Sequence, residues 1–330
     1  MATKGSVFLI GPGFIGLQIL GELLAEGYPV TTLVRREESK ASLEKLGSKT
    51  VLGSLDDGDI IRTAVAAADI VIHTATADHL PSAVSVLEGI AERAKAGKST
   101  IYIHTSGCSV LTDWEPSGER ESDKIYEEDK PETIDSVADD APHRAIDLAI
   151  LKHRNELGAK AKISIVVPPV IYGVGKEDRL SIQIPTMARF AIKHGYAGYV
   201  GGGKAVWGQV HVADLARGYL AILHYMESTS GDLILENPYF FIENGEEYSW
   251  GRCAEEIGNA LHEAGRIQDA AAKQVPPVIG QNARNRANRL RSLGWKPQEK
   301  STFDFLVSDK LPIILAETTE DKGYKAAVAS

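Results

Sequence analysis

The first hundred residues predict an α/β fold, a doubly wound parallel sheet with a smaller C-terminal lobe. Short apolar runs recur at regular intervals, helical patterns of roughly 10 to 15 residues separate them, and glycine closes several of those helices. Strands of near-continuous apolar character belong to parallel sheets covered on both faces, which right-handed crossovers through helices connect.

The elements follow from the pattern. Residues 7–10 read as the first strand and 14–25 as a helix with Ile15, Ile19, Leu20, Leu23 and Leu24 on one side and Gly27 after it. Strands are expected at 30–34, 50–52, 69–73 and 100–104, with helices at 37–46, 57–67 and 81–96 between them. Residues 111–141 break the pattern. They are polar, acidic and punctuated by proline, which reads as a solvated insertion or lid. A helix at 142–157 and a strand at 163–167 resume it. We divide the chain into a core of residues 1–175 and a lobe of 176–330 that sends segments back to the core. The lobe is expected to hold helices near 182–194, 212–227, 248–264 and 302–316, short strands at 232–235 and 239–242, and a frayed end from Thr318.

Composition narrows the classes of function. A net charge of −9 opposes nucleic-acid binding, which needs a basic face. No apolar stretch approaches the roughly 18 residues of a membrane span, and the N-terminus runs into a buried strand rather than a signal peptide. Two distant cysteines, Cys108 and Cys253, form neither a disulfide framework nor a metal pattern, so a cytoplasmic setting is expected. His73 and His79 make no metal-ligand spacing.

The strongest motif is Gly11-Pro12-Gly13-Phe14-Ile15-Gly16, which follows a strand and opens a helix. In that context Gly11 permits the tight turn, Gly13 lets a pyrophosphate approach the backbone, and Gly16 lets helix and strand pack closely. The helix N-terminus offers free N–H groups and a positive dipole end to phosphate. The second strand ends on Arg35-Arg36 where a site for an unphosphorylated ribose would carry an acidic residue. Guanidinium groups fork onto phosphate oxygens, so a 2′-phosphate and NADP(H) are expected. Thr74 and Ala75, after the fourth strand, are placed to line the cofactor with their backbone.

These features resemble an extended or atypical short-chain dehydrogenase/reductase of the epimerase/dehydratase-like kind, a Rossmann fold, over roughly residues 5–300. Further landmarks carry the likeness: Gly53-Ser54-Leu55-Asp56, Thr105-Ser106-Gly107, 167–173, 209–216 and 290–297. The resemblance implies Leu55 beside the adenine, Ser106 at the position of a catalytic serine, and Pro168 and Val170 beside the nicotinamide.

The family's Tyr-x-x-x-Lys pair is missing from its expected helix. One literal match, Tyr126 to Lys130, precedes Pro131, which disfavours helix before it. The better-placed helix puts His143 where tyrosine is expected and Asp147 where lysine is expected. A histidine titrates near neutrality and suits a proton donor. Asp147, one turn below, would orient the ring and raise its pKa, or accept a ribose hydroxyl. Tyr172 is a further candidate for the nicotinamide pocket, Trp207 for the substrate pocket or as a packing lid, His104 and the His73 ring are structural, and Asp214 is a helix cap.

The expected function is NADPH-dependent reduction of a small or medium organic carbonyl, imine or enone. An epimerase, isomerase or cyclase that keeps its nucleotide, and a non-enzymatic NADP(H) sensor, remain open. The expected partners are a small-molecule substrate and a second copy in a homodimer, the common arrangement for soluble enzymes.

Overall fold

Four consecutive buried residues, Val7–Ile10, form strand β1, and the computed structural model places it inside the main sheet, between two other strands. Residues 4–113, 117–276 and 280–317 are described. Helix α1 (Phe14–Ala25), β2 (Val30–Val34), α2 (Glu37–Leu46), β3 (Lys49–Leu52), α3 (Gly58–Ala67), β4 (Ile70–His73), α4 (Leu80–Lys95) and β5 (Thr100–Thr105) follow in strict alternation. Next come β6 (Tyr126–Glu127), α5 (Pro131–Asp135), α6 (Arg144–Leu157), β7 (Ala161–Val167) and β8 (Val170–Tyr172).

The remaining chain supplies α7 (Gln183–His194), β9 (Gly198–Val200), β10 (Val206–His211), α8 (Val212–Ser228), α9 (Gly231–Ile234) and β11 (Tyr239–Phe241). It continues through β12 (Glu247–Ser249), α10 (Trp250–Glu263), β13 (Lys273–Val275), β14 (Asn285–Arg286), α11 (Asn288–Ser292), α12 (Thr302–Phe305) and α13 (Leu311–Ala316).

The main sheet runs β3-β2-β1-β4-β5-β7-β11, and each of its pairings is parallel. Winding turns back between β1 and β4, so the loops after those strands open a crevice at their carboxyl ends. β11 returns from the C-terminal part to extend this sheet beside β7. A three-stranded sheet, β12-β10-β8, stands at the end of β7. Among the described residues no helix is long and apolar enough to cross a membrane.

Three expectations are corrected. Residues 232–235, read as a strand, lie largely in α9, because the Ser230 hydroxyl accepts the Leu233 N–H as an N-cap. Asp214 does not cap α8; His211 does, through the Ala213 N–H. The buried Asp214 carboxylate instead accepts the N–H groups of Gln298 (2.8 Å) and Glu299 (3.1 Å) and pairs with Arg217 (2.6 Å). The acidic segment is not simply solvated. Tyr126 and Ile134 are buried, and the fully buried Glu128 carboxylate accepts the N–H groups of Asn288 (2.9 Å) and Leu290 (3.1 Å). The reading of 126–130 as non-helical holds, since Tyr126 lies in a strand paired with β14. The frayed end expected from Thr318 lies outside the described residues.

Glu128 thus ties the acidic segment to the start of α11. Glu128→Ala leaves the buried Leu290 N–H without an acceptor, at about 1–3 kcal/mol, and frees the more accessible Asn288 N–H. Urea denaturation should show the loss with little change in m-value; an unchanged midpoint would mean that the anchor contributes nothing.

Candidate active site

The glycine turn is closed to side chains at two positions and open at a third. Gly11 adopts φ +91°, and a Cβ there would lie 2.4 Å from the Ala75 nitrogen. A Cβ on Gly16 would lie 2.0 Å from the Gly11 carbonyl oxygen, so any other residue would push α1 off β1. Gly13 differs: a Cβ built there meets nothing within 4 Å. That open side faces the first turn of α1, where Gly13 stands as N-cap without a side chain to occupy the free N–H groups of Phe14 and Ile15. The Thr74 hydroxyl donates to the Gly11 carbonyl (2.8 Å), which locks the loop after β4 against the turn. A pyrophosphate fits this cradle. Arg35 and Arg36 are exposed directly after β2, Arg36 as N-cap of α2, and half-buried Leu55 follows β3.

At the carboxyl end of β5, two polar pairs meet. Ser106 is buried and its hydroxyl donates to Asp147 Oδ2 (2.9 Å). The Oδ1 of Asp147 is also buried and finds no partner among the described residues. Burial raises the Asp147 carboxyl to a pKa of about 7, against the opposing pull of the Ser106 bond and the Arg144 charge.

The second pair is His143 and Asp78. His143 Nδ1 lies 2.6 Å from Asp78 Oδ1. A carboxylate accepts only, so Nδ1 carries a proton, and Nε2 is turned away from Asp78. That nitrogen sits over Gly107, 3.1 Å from where a Cβ would be. Gly107 therefore lets the imidazole close on the backbone next to Ser106. His143 reaches this place in a left-handed conformation (φ +67°), uncommon for a residue with a side chain.

The expectation that Asp147 orients His143 is corrected. His143 is the N-cap of α6 and not part of its helical backbone, so the stacking of residues four apart does not apply. Its carboxylate comes from the loop after β4, 65 positions earlier. The signal for Asp78 was topological: with β4 and β5 adjacent, a carboxylate after β4 faces the loops that follow β5.

Tyr172 is corrected as well. It is fully buried in β8, its hydroxyl donates to the Lys300 carbonyl (2.7 Å), and its ring packs on His211 and Phe305. Burial raises its pKa further, so the phenol stays protonated near neutrality, and its proton is already committed to the Lys300 carbonyl. Pro168 and Val170 lie buried where β7 gives way to β8, and the Pro168 carbonyl accepts the Cys108 N–H (3.0 Å), joining this segment to the loop of Ser106. Trp207 packs against Trp250 and donates its indole N–H to the Gln281 carbonyl (2.6 Å). His73 and His104 are buried neighbours on β4 and β5, both held neutral by desolvation.

Comparison with known proteins places this geometry. The model of the NAD dependent epimerase/dehydratase family matches residues 7–234, and the chain belongs to that family. It is 30% identical over 318 residues to the oxidase ucsJ of Acremonium sp, covering 86% of this chain and 90% of that protein. A ketoreductase of Stigmatella aurantiaca, named for a farnesylated dihydroquinoline oxide, is 28% identical over 114 residues, 32% of this chain and 34% of that one. In three dimensions the chain is similar to UDP-glucose 4-epimerase of Thermotoga maritima (TM-score 0.69, 16% identity, 94% and 100% covered). It is also similar to dTDP-glucose 4,6-dehydratase of Bacillus anthracis in complex with NAD (TM-score 0.68, 16% identity, 93% and 98% covered). The protein is an oxidoreductase of the extended short-chain class, and its glycine turn fits a nicotinamide dinucleotide.

Asp147 sets a pH dependence of stability. Its folded pKa, about 7, lies above the ordinary carboxylate range, so folding favours the neutral form. That favour is complete below about pH 4 and is lost as pH rises through about 7, at about 1.4 kcal/mol per pKa unit. Asp147→Asn removes the titration. Urea denaturation should show the variant and the wild type alike at pH 4 and the variant more stable at pH 8; equal stability at both would mean that the carboxyl is not desolvated.

Proposed function

We propose that the protein is an NADPH-dependent reductase of a small or medium organic carbonyl, imine or enone. The observation that carries this reading is the meeting of the His143–Asp78 and Ser106–Asp147 pairs beside Gly107, at the edge where the glycine turn opens. The bound nicotinamide supplies hydride. His143, as imidazolium, gives a proton from Nε2 to the substrate oxygen or nitrogen, and Asp78 keeps the ring turned toward Gly107. Ser106 steadies the same acceptor atom. When Asp147 is neutral it donates to the Ser106 oxygen, which frees the Ser106 hydroxyl proton for the substrate.

On the cofactor side, the N–H groups of Phe14 and Ile15 take the pyrophosphate, with Gly11, Gly13 and Gly16 shaping the turn. Arg35 and Arg36 take the 2′-phosphate, Leu55 borders the adenine, and Thr74 and Ala75 follow the dinucleotide across the switch point. Pro168 and Val170 border the nicotinamide. The buried thiols of Cys108 and Cys253, neither in a disulfide, suit a cytoplasmic enzyme, and a homodimer is the assembly we expect. The family also holds enzymes named as epimerases and dehydratases, which favours redox-neutral chemistry on a retained nucleotide as the second reading.

Calorimetry tests the cofactor assignment. NADPH should bind at least about tenfold better than NADH, a difference of about 1.4 kcal/mol, and Arg35→Ala should abolish that preference while NADH affinity stays. A panel of ketones, imines and enones should consume NADPH stoichiometrically. Turnover without net NADPH loss would replace the reductase by the redox-neutral reading.

A further inference from the structure

The glycine turn that would cradle a pyrophosphate carries no charged side chain from Gly11 to Gly16. A cation reaches it from a distant part of the chain. Arg179 lies between β8 and α7, is exposed, and its Nη1 donates to the Pro12 carbonyl (3.4 Å), one residue before the open position at Gly13.

Arg179 closes a tight hairpin. Val174 and Leu180 pair antiparallel at its base, the Gly175 N–H donates to the Arg179 carbonyl (2.8 Å), and the Arg179 N–H returns to the Lys176 carbonyl (3.4 Å). The two residues at the tip, Glu177 (φ +60°) and Asp178 (φ +54°), are both left-handed, as a type I′ turn requires and as side chains resist. The hairpin packs on α1. A Cβ on Gly175 would stand 2.8 Å from the Phe14 ring, and one on Gly21 would meet the Lys176 Cε at 2.6 Å. It therefore lies along the first two turns of that helix, with the Arg179 guanidinium at the phosphate-binding end.

The present partners of the guanidinium are replaceable. Arg179 pairs with Glu177 (3.1 Å), and both side chains are exposed, so solvent screens the pair and it resists a competing anion weakly. The bond to Pro12 is long. A guanidinium forks onto two phosphate oxygens at once, which neither present partner offers in this geometry.

We propose that residues 173–180 form a strap across the cofactor pyrophosphate, and that Arg179 leaves Glu177 to fork onto the phosphate oxygens. Arg179 then binds the part of the dinucleotide that NADH and NADPH share, unlike the arginines after β2. This rests on the reading of the glycine turn as a dinucleotide site.

Calorimetry with NADPH, NADH and ADP-ribose, at low and high salt, tests it on the intact protein and on Arg179→Gln, Arg179→Lys and Glu177→Gln. Arg179→Gln should weaken all three ligands by one common factor, at least about tenfold, or 1.4 kcal/mol, so that the preference between NADPH and NADH is kept. Its affinities should also depend less on salt than those of the wild type, because one charge contact is gone. Arg179→Lys should recover part of the loss, and Glu177→Gln should tighten all three ligands, because the competing carboxylate is removed. Without ligand, the melting temperatures of the four proteins should agree. Unchanged affinity in Arg179→Gln, a loss confined to NADPH, or an equal loss in Arg179→Lys with a lowered melting temperature would each overturn the proposal. Failure of the wild type to bind any of the three would instead sink the dinucleotide reading on which the strap rests.

Discussion

The constraint on which the cofactor turn depends is the contact between Gly16 and the Gly11 carbonyl, where a Cβ would have only 2.0 Å. Because no side chain intervenes, α1 begins hard against the end of β1, and its free N–H groups point into the crevice where winding reverses. The Thr74 hydroxyl then fastens the β4 loop to the same turn. Asp78 rides on that loop, and His143 is held by Asp78. The distance between the cofactor cradle and the polar pairs at β5 is therefore set by a few backbone contacts at the sheet edge, and the irregular C-terminal part builds outward from it.

The chemistry of the site differs from the Tyr-x-x-x-Lys arrangement in the sign of its helper group. A lysine below a tyrosine lowers the pKa of the phenol by its positive charge. Here the residue one turn into α6 is a carboxyl that burial keeps protonated up to about pH 7, bonded to the Ser106 hydroxyl. On the proposed role of His143, an imidazole would stand where the family carries its tyrosine, with no lysine beside it. What the imidazole requires is orientation, and a carboxylate on Nδ1 supplies it. The left-handed backbone at His143 is the local cost of bringing Nε2 over Gly107.

The sheet was legible in the sequence because its information is local. Buried strands such as Val7–Ile10 are unbroken apolar runs, and Gly27 and Gly47 end helices in the left-handed conformation that glycine favours. The phosphate turn was legible for the same reason. Positions whose role depends on distant partners were not. Asp78 is an unremarkable loop aspartate until β4 and β5 are neighbours, and Glu128 looks solvated until α11 supplies its donors. Asp214 sits where a cap is expected, but residues 298 and 299 claim it. Arg179 gave no signal at all, because its place at the glycine turn depends on how a hairpin 167 positions later folds back.

The most direct test of the central claim, that His143 is the proton donor, is chemical rescue of His143→Ala with free imidazole, measured as NADPH oxidation with a carbonyl substrate. The account predicts a rate lower by about 10²–10⁴ that imidazole partly restores, with NADPH affinity unchanged. A variant that turns over at the wild-type rate, or one that imidazole cannot rescue while cofactor still binds, would contradict it.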